Sequence, residues 1–121
     1  KDFVILHSLD GYDEVSLTGP FKYFFNSGES VLEPKDLGLP RLVHHDIRGG
    51  DSVEESAKVF LSVLEGKGTD AQNAAVLANA GMALYASNQK DGLLKAVERA
   101  REALISGKAL HAFRKLMEVN K

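Results

Sequence analysis

The sequence contains no cysteine and no tryptophan, only three prolines, and a formal net charge of only -2 at pH 7. The absence of cysteine excludes disulfide bonds and thiolate chemistry. The small net charge excludes the broad basic field that attracts nucleic acid or an anionic membrane. No apolar run reaches membrane-spanning length, and the first residues lack the basic and apolar segments of a signal peptide. We therefore expect a cytoplasmic protein with neither nucleic acid nor membrane as a main partner.

What is present is typical of an ordinary globular domain. The 121 residues are 44% hydrophobic and 26% charged, which is an ordinary composition for a globular chain. This length suits one modest domain with its own core and leaves no room for two.

The pattern of apolar residues predicts an α/β fold, with a partial sheet in residues 1–48 and about four helices in residues 49–121. The unbroken apolar run Phe3–Leu6 predicts a buried strand that is covered on both faces, as in a parallel sheet. Phe21–Phe25 and Val31–Glu33 predict a hairpin with its turn near Gly28.

Two capping boxes and apolar residues at helical spacing predict the helices. Ser52 with Glu55 begins the first, and Thr69 with Gln72 begins the second. Residues 71–86 are almost entirely small and apolar, which predicts a helix in the interior. Two more helices follow, one from Leu93 to Leu104 and one from about Lys108.

Two asparagines interrupt the apolar second helix. Asn73 and Asn79 could bind a ligand through their amides. We favour structural hydrogen bonds, since buried amides need partners with or without a substrate.

Three carboxylates follow the first predicted strand in the segment Leu9–Glu14, here called the acidic loop. Asp10, Asp13 and Glu14 can converge there because the backbone is irregular. Mg²⁺ binds oxygen ligands and commonly uses only one or two protein carboxylates together with substrate phosphates. A solvated turn rich in Asp and Gly explains the same residues.

The segment Leu6–Pro20 resembles the VHG-x-DG-(L/Y)-DE-(I/L/V)-S-x-TG-x segment of anthranilate phosphoribosyltransferases. Further short motifs of that family follow in the same order, at Asp36–Leu39, Gly49–Asp51, Asp70–Ala80 and Ser106–Leu110. The resemblance therefore covers nearly the whole chain. Glu55 departs from the asparagine that is common in the family.

The resemblance implies the C-terminal portion of a nucleoside phosphorylase/phosphoribosyltransferase-like α/β domain. The glycine-rich GTGGD loop, the N-x-S-T run and the KHGN segment of the family do not occur, and the chain begins at Lys1 without an initiator Met. We therefore expect a C-terminal part of a longer enzyme, which is homodimeric at full length. The isolated chain is expected to be inactive and to self-associate through Phe3–Leu6.

The resemblance also implies an activity and a metal site. The activity is transfer of 5-phosphoribosyl from phosphoribosyl pyrophosphate to anthranilate in tryptophan biosynthesis, with release of pyrophosphate. Asp13 and Glu14 match the acidic pair of the family that binds Mg²⁺ with pyrophosphate. Asp10 and His7 are weaker candidates that would orient the loop, and no residue is assigned as a catalytic acid or base.

Two other functions remain open at this stage. A pyrimidine-nucleoside phosphorylase has a related fold and also transfers ribosyl groups. A non-catalytic helical interaction module would leave the acidic loop without metal affinity. Zinc at His44 and His45 is disfavoured, because adjacent residues in an extended chain point to opposite sides and the spacing supplies no third ligand.

Overall fold

The computed structural model describes all 121 residues, which form a three-stranded antiparallel sheet followed by four α-helices. The strands, in their order in the sheet, are β1 (Val4–Ser8), β2 (Phe21–Phe25) and β3 (Gly28–Leu32). The helices are α1 (Val53–Leu64), α2 (Asp70–Ser87), α3 (Leu93–Ile105) and α4 (Lys108–Val119). The predicted α/β class, the hairpin and the number of helices are confirmed.

The prediction that β1 is buried on both faces of a parallel sheet is wrong. β1 pairs antiparallel with β2, with Val4 opposite Phe25. Its residues alternate in burial, and Ile5 is 59% exposed while Ser8 is buried. The reason is that the chain packs its helices and loops against only one face of the sheet. An apolar run alone does not specify the direction of its partner strand.

The core lies between the inner sheet face, the irregular segments around residues 15–18 and 37–42, and helices α2 and α3. Its members are Val15, Leu17, Phe21, Tyr23, Leu37, Leu39, Leu42, Ala74, Ala78, Met82 and Val97. Burial raises the pKa of the Tyr23 hydroxyl above its ordinary value, and Tyr85 adds to this, while a hydrogen bond with Ser30 lowers it. Tyr23 is therefore neutral near pH 7, as a hydroxyl in a core should be.

The predicted helix starts are confirmed by their caps. Gln72 N–H donates to Thr69 Oγ1 at 3.1 Å, and Thr69 N–H donates to Gln72 Oε1 at 3.0 Å. Ser52 Oγ accepts from Glu55 N–H at 3.1 Å. The Glu55 carboxylate accepts from Asp51 N–H and not from Ser52 N–H. The returning hydrogen bond of this capping box therefore goes to the residue before the N-cap.

Helix α2 packs closely on α3. A Cβ added at Gly81 would lie 2.7 Å from Val97 Cγ2. This is too close for two carbon atoms that are not bonded, so glycine permits the close approach of the two helices. Six residues of α2 are buried, although Val76 on its other side is 40% exposed. No helix is both long and apolar enough to cross a membrane.

Candidate functional site

Asp13 and Glu14 lie side by side in the acidic loop, and both are exposed. Neither carboxylate forms an ion pair or a side-chain hydrogen bond within the chain. The backbone beside them is held, because Ser8 Oγ donates to Glu14 O at 2.6 Å. No cluster of three His, Asp or Glu side chains is present. The pair therefore fits Mg²⁺ only if phosphate oxygens and water supply the remaining ligands.

The side chain of Asp10 binds hydroxyl groups that follow the acidic loop in the chain. Its carboxylate accepts hydrogen bonds from Thr18 Oγ1 and from Ser16 Oγ. These contacts join the acidic loop to the segment that follows it, and Asp10 forms no hydrogen bond with Asp13 or Glu14. An orienting role for Asp10 remains a prediction.

His7 is not brought to the acidic pair. It lies on β1 opposite Lys22, on the sheet face away from the buried Ser8. Its side chain makes no ion pair within the chain. An orienting role for His7 remains a prediction from the family resemblance alone.

Asn79 of α2 holds the backbone directly after Glu14. Its Oδ1 accepts from Val15 N–H at 3.0 Å, and its Nδ2 donates to Val15 O at 2.8 Å. The same Nδ2 donates to Ala75 O at 2.9 Å. All hydrogen-bonding groups of the amide are thus used, and the structural interpretation of Asn79 is confirmed. For Asn73 the same prediction is wrong, because its Oδ1 is buried without a hydrogen-bond partner.

We expect Asn79→Ala to destabilise the protein by about 1–3 kcal/mol, since it leaves the buried Val15 N–H and C=O without partners. Asn73→Ala is the matched control on the same helix, because the Asn73 Oδ1 has no hydrogen bond to lose. Thermal and urea unfolding measure both variants. Equal stability of the two variants would show that the Asn79 bonds contribute nothing.

The segment after the acidic pair has an unusual backbone. Leu17 has a φ of 62° and its side chain is fully buried. Non-glycine residues rarely adopt this conformation, and it persists only where surrounding contacts enforce it. Leu17 O accepts from Leu42 N–H at 2.8 Å. Residues 15–18, which are β-prone in sequence, are therefore an irregular buried segment and not a strand.

The side chain of Tyr12, in the acidic loop, contacts the side chain of His44. Tyr12 Oη and His44 Nδ1 are 2.8 Å apart and share a hydrogen bond, and the rings stack with centroids 5.6 Å apart. The two residues line a cavity of about 300 Å³ together with Glu14, Asn79 and Arg48. No sequence signal indicates this contact, because 32 positions separate the two residues.

Comparison with known proteins identifies relatives along nearly the whole chain. The family model described as "Glycosyl transferase family, a/b domain" matches residues 1–110. An anthranilate phosphoribosyltransferase of Flavobacterium psychrophilum is 47% identical over 119 residues, 98% of this chain and 36% of that protein. One of Christiangramia forsetii is 46% identical over 120 residues, 99% of this chain and 36% of that protein.

Solved structures agree with these relatives. The anthranilate phosphoribosyltransferase of Thermus thermophilus superposes with a TM-score of 0.85 and is 30% identical, over 94% of this chain and 34% of that one. A Saccharomyces cerevisiae enzyme in complex with PRPP and Mg has a TM-score of 0.81 and is 22% identical, over 93% of this chain and 32% of that one, which shows a shared fold. This chain thus spans about a third of the length of the relatives it matches.

Proposed function

Because the chain belongs to the glycosyl transferase family whose a/b domain matches residues 1–110, we propose that it is the C-terminal third of an anthranilate phosphoribosyltransferase. The full-length enzyme transfers 5-phosphoribosyl from phosphoribosyl pyrophosphate to the amine of anthranilate and releases pyrophosphate. The observation that carries the proposal is 47% identity to such an enzyme across 98% of this chain.

The exposed pair Asp13 and Glu14 suits this reaction. The leaving group is a polyanion and the anomeric carbon becomes cation-like, so positioning and charge neutralisation should outweigh acid–base catalysis. Bound Mg²⁺ would neutralise the pyrophosphate charge. Asp13 and Glu14 would hold that ion, while Ser8 and Asn79 fix the peptide group that follows Glu14. A yeast relative solved with PRPP and Mg supports the choice of ligand and metal.

The assay that tests this proposal uses the full-length protein with anthranilate, phosphoribosyl pyrophosphate and Mg²⁺. Formation of phosphoribosyl anthranilate and pyrophosphate in equal amounts is expected. A parallel assay offers pyrimidine nucleosides with inorganic phosphate. Turnover only in the second assay would contradict the proposal and would identify the protein as a nucleoside phosphorylase.

The 121-residue chain alone is expected to give no measurable product in the same assay. It has the acidic pair but not the glycine-rich GTGGD loop of the family that would hold the substrate phosphates, and two carboxylates without a bound pyrophosphate hold Mg²⁺ only weakly. Full-length protein at equal concentration is the positive control. Product formed by the purified chain, and abolished by EDTA, would contradict this prediction.

A further inference from the structure

We propose that Tyr12 and His44 are positioning residues. Their contact holds the chain directly before Asp13, so that Asp13 and Glu14 bind metal and pyrophosphate together. This inference rests on the proposed function. It adds two residues to that site, neither of which would touch the metal or the substrate.

Tyr12 directly precedes Asp13 and makes contacts through both its backbone and its side chain. Its carbonyl oxygen accepts from Ser8 N–H at 3.0 Å. Its hydroxyl shares the 2.8 Å hydrogen bond with His44 Nδ1, and its ring stacks on the imidazole at an interplanar angle of 23°. Both the backbone and the side chain of Tyr12 are therefore held.

His44 lies in a short segment that packs on the rest of the domain. It begins the short 3₁₀ turn His44–Ile47, which is closed by a hydrogen bond from Val43 N–H to the Asp46 carboxylate at 3.0 Å. Ile47 in this turn packs against the hydrophobic core. His44 is thus part of a segment that is fixed relative to the rest of the domain.

Asp13 and Glu14 lie between Tyr12, which His44 holds, and Val15, which Asn79 holds. A dipeptide fixed at both ends has few conformations to lose when it binds an ion, and less ordering cost means tighter binding. Without the contact to His44, the Tyr12 end of the pair is held only by the backbone hydrogen bond from Ser8 N–H.

This role differs from a structural one because the contact between Tyr12 and His44 is exposed. Exposed hydrogen bonds contribute little to the free energy of unfolding. Losing this contact should therefore weaken metal binding without unfolding the protein. Losing the part-buried contact of Asn79 with Val15 should affect both.

The test uses full-length protein with Tyr12→Phe, His44→Phe and the double variant. Both single changes keep an aromatic ring and remove the hydrogen bond. Mn²⁺ binding, followed by electron paramagnetic resonance in the presence of inorganic pyrophosphate, gives a readout independent of turnover. The Mg²⁺ concentration for half-maximal turnover gives a second.

Each single variant is expected to weaken Mn²⁺ binding and raise the half-maximal Mg²⁺ concentration by about three- to tenfold, an estimate from the ordering of one residue. The double variant should be no weaker than either single one, because one bond is lost in all three. His44→Asn, whose Oδ1 can accept in place of Nδ1, should bind Mn²⁺ more tightly than His44→Phe. Tyr85→Phe is the matched control and should behave as wild type.

Wild-type Mn²⁺ affinity in Tyr12→Phe and His44→Phe would overturn the inference, as would single effects that simply add in the double variant. A wild-type protein that binds no Mn²⁺ with pyrophosphate would also overturn it. Failure of the proposed function looks different. In that case Mn²⁺ binding still depends on Tyr12 and His44, but anthranilate is not a substrate.

Discussion

Replacing Asp13 by Asn together with Glu14 by Gln in the full-length protein is expected to lower kcat by about a hundredfold or more, as loss of a charge-stabilising group does in other enzymes. Folding should be nearly unaffected, because both carboxylates are exposed and form no ion pair. Turnover measured across a Mg²⁺ titration, with thermal unfolding alongside, separates the two effects.

The matched control is Asp2→Asn with Glu54→Gln. It removes the same two charges from exposed positions outside the acidic loop, so it changes the net charge equally. Wild-type kinetics are expected for this control. If the Asp13 and Glu14 double variant also keeps wild-type turnover at every Mg²⁺ concentration, the metal assignment is wrong.

At high concentration the 121-residue chain is expected to self-associate through β1, which lies at the edge of the sheet. Leu9 N–H donates to Pro20 O at 3.0 Å, which continues the β1–β2 ladder through the odd-numbered residues. In an antiparallel pair only alternate residues bond to the partner strand. The backbone N–H and C=O groups of the even-numbered Val4 and Leu6 therefore point to the open edge. Ile5 beside them is 59% exposed. Unpaired backbone and exposed apolar area both favour association.

Light scattering on a dilution series measures this association as a mass that rises with concentration. Ile5→Lys is expected to return the chain to a monomer, because it places a charge beside the edge. Leu94→Lys is the matched control, since Leu94 on α3 is 60% exposed but remote in sequence from β1. A monodisperse wild-type monomer with the Val4 and Leu6 amides protected from hydrogen exchange would show that the chain closes its own sheet.

The elements that could be predicted from sequence are those with local signals. The box of Thr69 and Gln72 identifies the start of α2 because both partners lie within one helical turn. The hairpin of β2 and β3 is equally local, with Phe25 opposite Gly28. Asp13 and Glu14 stand out through a short motif and a family resemblance, and their role as metal ligands remains a prediction.

The features that sequence reasoning misses are contacts between distant residues or conformations without a signature. The pairing and burial of β1 are among them, because an apolar run does not show which strand pairs with it or what packs against its faces. The positive φ of Leu17 is another, because leucine gives no indication of it. The bonds of Asn79 to Val15 and of Tyr12 to His44 join residues 64 and 32 positions apart.

The bond between Val15 and Asn79 also sets an order of events during synthesis. The ribosome makes the acidic pair first, and the residue that holds it follows 64 positions after Val15. At roughly 5–20 residues per second, several seconds pass before Asn79 exists. Until α2 has been translated and docked, a nascent chain therefore carries Asp13 and Glu14 with only the local contacts from Ser8. Any transcript truncated before α2 encodes both carboxylates without the Asn79 contact that fixes Val15.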